Sequence, residues 1–257
     1  MTDDEIAKIA AEVVKLLAKE IYGDALKPGM TQVGRAIETV LGLGNTVLTP
    51  IAMVNDKVKH IREANLAKLE QRLGQIKSEK IIPIHPEIAV PVLRKLEYTQ
   101  NENLAELFLN LLATAANIDT AHWAHPAFVN IISNLSPDEA KLLKFLQENQ
   151  ILCHGNVRSN NKDTSFSDFK VQTTILEFED VIQFTSNSRI YISNLIGLGI
   201  ISEFAAPKEN EQFGKIEEYL RNEFERVSKL DKVLGVHFRK GCFGLTEFGE
   251  LFMRCCT

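Results

Sequence analysis

The chain has 257 residues, 45% hydrophobic and 25% charged, with 29 Lys and Arg against 34 Asp and Glu and a formal net charge of −5. This composition belongs to an ordinary globular protein of one or two domains; it excludes a low-complexity chain and offers no overall positive charge to attract nucleic acid. Four cysteines without a C-x-x-C pair point to reduced thiols in a cytoplasmic protein rather than a disulfide framework.

The first residues, MTDDEIAKIAAEVVKLLAKE, carry acids where an export signal would carry Lys or Arg, so they read as a helix and not a leader. Thr2 and Glu5 form a capping-box pair, and Ile6, Ile9, Val13, Leu16 and Leu17 recur at helical spacing to about Glu20. Residues 31–49 are apolar and rich in Gly and Thr, and predict a helix that loosens around Gly42, Leu43 and Gly44. Thr49 and Pro50 then cap a long helix to about Ile76. Between Asp56 and Lys80 it carries seven Lys or Arg and four acids, a modestly basic outer face.

Residues 81–100, IIPIHPEIAVPVLRKLEYTQ, begin extended because residues before proline avoid the helical region. Pro86 suits the start of a helix to about Tyr98, with Pro91 tolerated in its early turns. Asn101 or Asn103 caps a core helix to about Ala116, Pro126 starts a short helix, and Ser136-Pro137-Asp138-Glu139 is the clearest helix start in the chain.

After Gln150 the composition changes. VRSNNKDTSFSDFK reads as a polar loop and VQTTILEFEDV as a strand. RIYISNLIGLG follows as a helix stopped by Gly197 and Gly199, then IISEF as a strand and Lys208–Leu230 as a charged helix. VLGVHFRKGCFGL predicts two strands turning at Lys240-Gly241, and Thr246 caps a last helix. The expected fold is mainly α: a helical bundle over 1–134, then a smaller α+β, winged-helix-like module over 135–257 with an inserted helix near 208–230.

The runs AHPAFVNIISNLSPDEAKLLKFL, NLAELFLNLLATA and IIPIHPEIAVPVLRKLEYT together resemble the abortive-infection alpha family of bacteria. The resemblance covers about residues 24–146, with LIGLGIISEF and FGLTEFGELFMRCC in the tail also fitting. It implies a role in defence against phage and supplies no catalytic residues.

His122 and His125 are the metal-like pair, with Asp119 as a third ligand, but Pro126 takes His125 out of helical geometry. His122, Trp123, His125, Pro126 and Phe128 are better read as residues that organise a turn or an interaction. His237 with Cys242 and Cys255 or Cys256 lacks the spacing zinc sites usually show. The runs Glu177 to Asp180 and Glu217-Glu218 read as solvated faces. No catalytic residue and no cofactor are expected.

A recognition helix over Asn187–Leu198 offers Arg189 as its one cation, with Asn187 and Asn194, and Ser136 to Phe204 holds six Lys or Arg against nine acids, so nucleic acid is disfavoured. Ala36 to Asn55 carries one charge in twenty residues, yet holds too many polar residues for a stable span. The leading expectation is a non-enzymatic defence protein that meets a protein partner or phage component. A membrane-acting effector using 31–55 and the basic helix 50–80, or a transcriptional regulator, are the alternatives.

Overall fold

The structure, a computed structural model, describes residues 56–159, 169–177, 180–205, 211–228 and 236–257. The expected helix over 6–20, the segment 31–55 and the Thr49-Pro50 start lie outside them. The chain divides into two compact units: the described residues up to Asn134 with Arg254–Thr257, and Leu135–Met253. Among the described residues the fold is mainly α with one small antiparallel sheet.

In the first unit, α1 (Asp56–Leu73) buries Leu69 and Leu73. It stops at Leu73 rather than at Ile76. Beyond Gly74 the amides of Gln75 and Ile76 bond three residues back, to Arg72 and Leu73, which tightens the last turn and breaks the α-helical ladder. α2 (Pro86–Leu96) accommodates Pro91 and ends two residues before Tyr98. Its end is held by a buried polar residue of α1: Asn65 Nδ2 donates to the carbonyls of Leu96 (2.7 Å) and Thr99 (3.1 Å).

Asn101, not Asn103, caps α3 (Glu102–Ala116), its side chain accepting from the Leu104 amide at 3.2 Å. Leu109, Leu111 and Leu112 are all fully buried, so this helix is enclosed on several faces and forms the centre of the unit. Each such leucine contributes about 2 kcal/mol relative to leaving it in water. α1, α2 and α4 (Ala127–Ser133) pack on it. A bridge from Ile81 to Asn117, with Ile82 N–H donating to Ala116 O and Ile118 N–H to Lys80 O, pins the extended segment to its end.

The second unit begins with α5 (Pro137–Asn149), where both bonds of the Ser136–Glu139 capping box are formed. The sheet contains β1 (Ile151–Ser159), β2 (Phe169–Thr174), β3 (Ile201–Ala205) and β4 (Val236–Leu245) in the order β2-β1-β4-β3, every pair antiparallel. Between them lie α6 (Ser188–Gly197) and α7 (Gln212–Ser228), and α8 (Glu247–Cys256) follows.

Three sequence expectations fail here. VLGVHFRKGCFGL contains no hairpin: β4 runs unbroken through Lys240-Gly241, pairing with β1 from Ser159↔Val236 to Ile151↔Gly244. Gly241 is there for space, since a Cβ would lie 2.4 Å from Nε2 of His154 on the neighbouring strand. Lys240 is therefore not at a turn; it pairs with Glu217 on α7 and lies 5.3 Å from the Phe213 ring centre. Secondly, nothing in the sequence signals β1, which takes residues 157–159 from the expected loop. Leu152, Cys153, His154, Gly155 and Asn156 are all buried, so the strand shows no inside–outside alternation. Thirdly, the strand expected over VQTTILEFEDV ends at Thr174 in a 3₁₀ turn, Ile175–Glu177.

Gly199, at φ 73°, rather than Gly197, stops α6. Thr246 caps α8, accepting from Gly249 N–H at 2.9 Å and donating to Gly199 O at 2.7 Å.

Candidate functional site

The turn before α4 gathers the residues that the sequence singled out. Ala121–Trp123 forms a 3₁₀ turn. The exposed His122 ring stands 5.1 Å from that of Trp123, tilted by 60°. His125 Nδ1 accepts from the Ala127 amide at 3.1 Å, and its ring lies 5.8 Å from that of the fully buried Phe128. The same His-Pro device starts α2, where His85 Nδ1 accepts from the Glu87 amide at 3.3 Å. Trp123 faces the Arg254 guanidinium at 5.4 Å, within cation–π range. Asn110 and Thr114 of α3 donate to the carbonyls of Cys256 (3.0 Å) and Cys255 (2.8 Å). This corner organises backbone. Among the described residues no three His, Cys, Asp or Glu side chains are grouped to hold a metal ion.

The second unit holds an arrangement that sequence reasoning read only in part. Ser136-Pro137-Asp138-Glu139 caps α5, but its two acids also reach across the unit. Asp138 is buried, and its carboxylate accepts from the amides of Gln183 (3.0 Å) and Phe184 (2.9 Å) and from the Tyr191 hydroxyl (3.3 Å), with Lys141 Nζ at 3.3 Å. Burial pushes this carboxyl up, but the two amides and then Lys141 outweigh it and hold the group below the usual carboxylate range. Glu139 closes the box through Oε2 and accepts from Asn194 Nδ2 at 2.7 Å through Oε1. Two acids one residue apart thus fasten α6 and the turn that leads into it.

Fastened in this way, α6 turns Tyr191, Ile192 and Leu195 inward and presents Arg189, Ile190, Ser193, Ile196 and Gly197. Ile190 is 65% exposed, Ile196 44%, and Phe184 just before the helix 54%. Among the described residues these three are half of the large exposed hydrophobic side chains, and Arg189 is the one Lys or Arg of the helix.

The sheet hides a further cluster that spacing could not reveal. His154 stacks on Phe243 with ring centres 4.5 Å apart, and its Nε2 lies 3.2 Å from Oε1 of Glu203. Cys153 and Cys242 face each other with sulfurs 3.2 Å apart. Burial pushes both thiols up. The Cys-Cys register and the glycine opposite a histidine would have signalled this only once strand pairing was known. In the acidic runs, Glu217 is taken by Lys240, while Asp180 and Glu218 are exposed.

Among the described residues no helix is long and apolar enough to cross a membrane. No curated protein matches the chain. A solved structure of an uncharacterized protein from the hydrocarbon-degrading marine bacterium Alcanivorax borkumensis SK2 is similar over 50% of this chain and 91% of that one, at 13% identity and a TM-score of 0.31. The abortive infection alpha family model matches residues 61–256. It therefore starts later than the resemblance read from the sequence, at 61 rather than near 24, and runs through the whole sheet unit. On that match the chain belongs to the abortive infection alpha family.

Proposed function

We propose that this protein serves phage defence by abortive infection as a non-enzymatic component in the cytoplasm, docking a protein partner on the exposed face of α6. Family membership supports the defence role. The single observation that carries the docking surface is the exposure of Ile190, Ile196 and Phe184 around a helix that buried carboxylates hold in place. A partner face of complementary chemistry is apolar, with a carboxylate to meet Arg189.

The element order supports a winged-helix-like reading of this unit. A helix and strand (α5, β1) precede α6, which is followed by β3 and β4, and β4 lies between β3 and β1. α7 then sits in the connection where a wing loop would be. In that reading α6 occupies the recognition position, and it offers a phosphate backbone one arginine amid isoleucines. Groove binding draws on several Lys or Arg contacts, so this surface suits protein better than DNA.

Phage challenge of cells with and without the gene tests the defence role. Protection should appear as fewer plaques, with culture survival at low phage dose and collapse at high dose. Equal plaque counts and equal survival at both doses would remove the proposal. A salt-sensitive gel shift with duplex DNA would instead favour the regulator.

A further inference from the structure

The first unit contains an open cleft of about 410 Å³ that the α6 reading does not use. It is formed where α1 ends, where the following 3₁₀ turn (Ser78–Lys80) is pinned to Asn117, and where α3 gives way to the turn at Asp119 and Thr120. Its size falls in the range of small-molecule sites.

The charge of its wall is unusual for this chain. Arg72, Lys77 and Lys80 line it against one acid, Asp119, in a protein of net charge −5. The carbonyls at the end of α1 account for a cation in the last turn, where Arg72 sits. They do not account for Lys77, which lies beyond the helix, while Lys80 closes the following 3₁₀ turn. Arg72 is paired with Glu106 and Lys80 with Asp119. Lys77 is exposed and makes no ion pair among the described residues.

The hydrogen-bonding groups of the wall narrow the ligand. Thr114 and Thr120 hydroxyls donate to the carbonyls of Cys255 and Thr114, and Asn110 donates to Cys256. Asn117 Oδ1 accepts from the Asp119 amide, which leaves its NH₂ as a donor. The donors left for a ligand are the Lys77 ammonium, the amides of Gln75 and Asn117, and the guanidinium fork and ammonium that Glu106 and Asp119 now hold. That set favours an anion rich in acceptor oxygens with more than one negative charge. No aromatic side chain lines the cleft, so nothing there would stack on a nucleobase.

We infer that this cleft binds the phosphate groups of a small phosphorylated molecule, with Lys77 as the first contact and Arg72 and Lys80 exchanging their acidic partners for phosphate oxygens. The site lies in the other unit from α6, and the inference stands whether or not α6 docks a partner.

Inorganic pyrophosphate is the probe, titrated calorimetrically into the full chain at constant ionic strength, with citrate as a carboxylate anion of comparable charge. Saturable pyrophosphate binding with a dissociation constant below about 1 mM is expected, and citrate at least about tenfold weaker. Lys77→Glu should weaken pyrophosphate about tenfold or more and Lys77→Arg less than about threefold, while Lys144→Glu on the exposed face of α5 leaves it unchanged. Lys77 is a surface residue, and circular dichroism confirms that each variant is folded. No saturation by about 10 mM, citrate binding as tightly as pyrophosphate, or equal losses in Lys77→Glu and Lys144→Glu would each overturn the inference.

Discussion

Replacing Asp138 tests whether the acids of the α5 start hold α6 in place. Its carboxylate takes two backbone amides at 3.0 and 2.9 Å, a tyrosine hydroxyl at 3.3 Å and an ammonium at 3.3 Å. Hydrogen bonds to a charged group contribute about 1.5–3 kcal/mol each when buried. Gln183 and Phe184 are exposed residues, so water can reach the amides once the acid is gone, and the lower end of that range applies. Lys141 is 41% exposed and adds no more than about 0.5 kcal/mol. Asp138→Ala should therefore cost about 3 kcal/mol. Asp138→Asn keeps one acceptor oxygen but turns an NH₂ toward a donor, and should cost about 1–2 kcal/mol.

The pH dependence follows from the lowered pKa of this carboxyl. A carboxyl depressed by folding contributes stability that is fully present above its unfolded value, near 3.8, and is lost as pH falls through the lower folded value. The gap between wild type and Asp138→Asn should hold steady from about pH 7 to pH 5 and close below about pH 4. Urea denaturation followed by circular dichroism gives the stabilities, and hydrogen exchange over residues 180–197 reports α6 directly. Both variants within about 0.5 kcal/mol of wild type, or a gap that widens on acidification, would refute the reasoning.

Glycine, amide and thiol positions give three shorter predictions. Gly241→Ala should destabilise by about 2 kcal/mol, because the added carbon meets a buried, stacked His154, whereas Gly197→Ala, with nothing within 4 Å, should stay within about 0.5 kcal/mol in urea denaturation. Asn65→Ala should cost about 1–2 kcal/mol by orphaning the carbonyls that end α2, with faster hydrogen exchange in residues 93–99 as the local sign. The buried thiols Cys153, Cys242 and Cys256, all pushed up by burial, should react with Ellman's reagent at neutral pH only on unfolding; rapid reaction of the native protein would contradict their placement.

What was legible in the sequence was local. The capping box at Ser136, the Thr246 cap and the Pro86 and Pro126 starts depend on bonds within three residues, and the residue types alone specify them. The charged face of α7 and the interruption after α6 were readable for the same reason. Strand pairing was not. Cys153, His154 and Gly155 lack the β-branched alternation of a half-exposed strand because β1 is covered on both faces, and Gly241 imitates a turn residue while serving as clearance for His154.

The candidate surface was half legible. The helix over 188–197 and its poverty in cations were plain, but the bonds that orient it join Asp138 to residues 183, 184 and 191, and Glu139 to residue 194. Pairs so far apart leave no trace in spacing. The turn over His122–Phe128 stood out in the sequence for its histidines, and in the structure those side chains serve a cap and ring contacts. The segment 31–55, which raised the membrane alternative, lies outside the described residues.

The docking claim meets its most direct test in efficiency of plating with Ile190→Asp/Ile196→Asp, compared with wild type and an empty vector. Both side chains are exposed, so the variant should fold and be present at wild-type level, and its plating should rise to that of the empty vector. Full protection by a variant present at wild-type level would contradict the account.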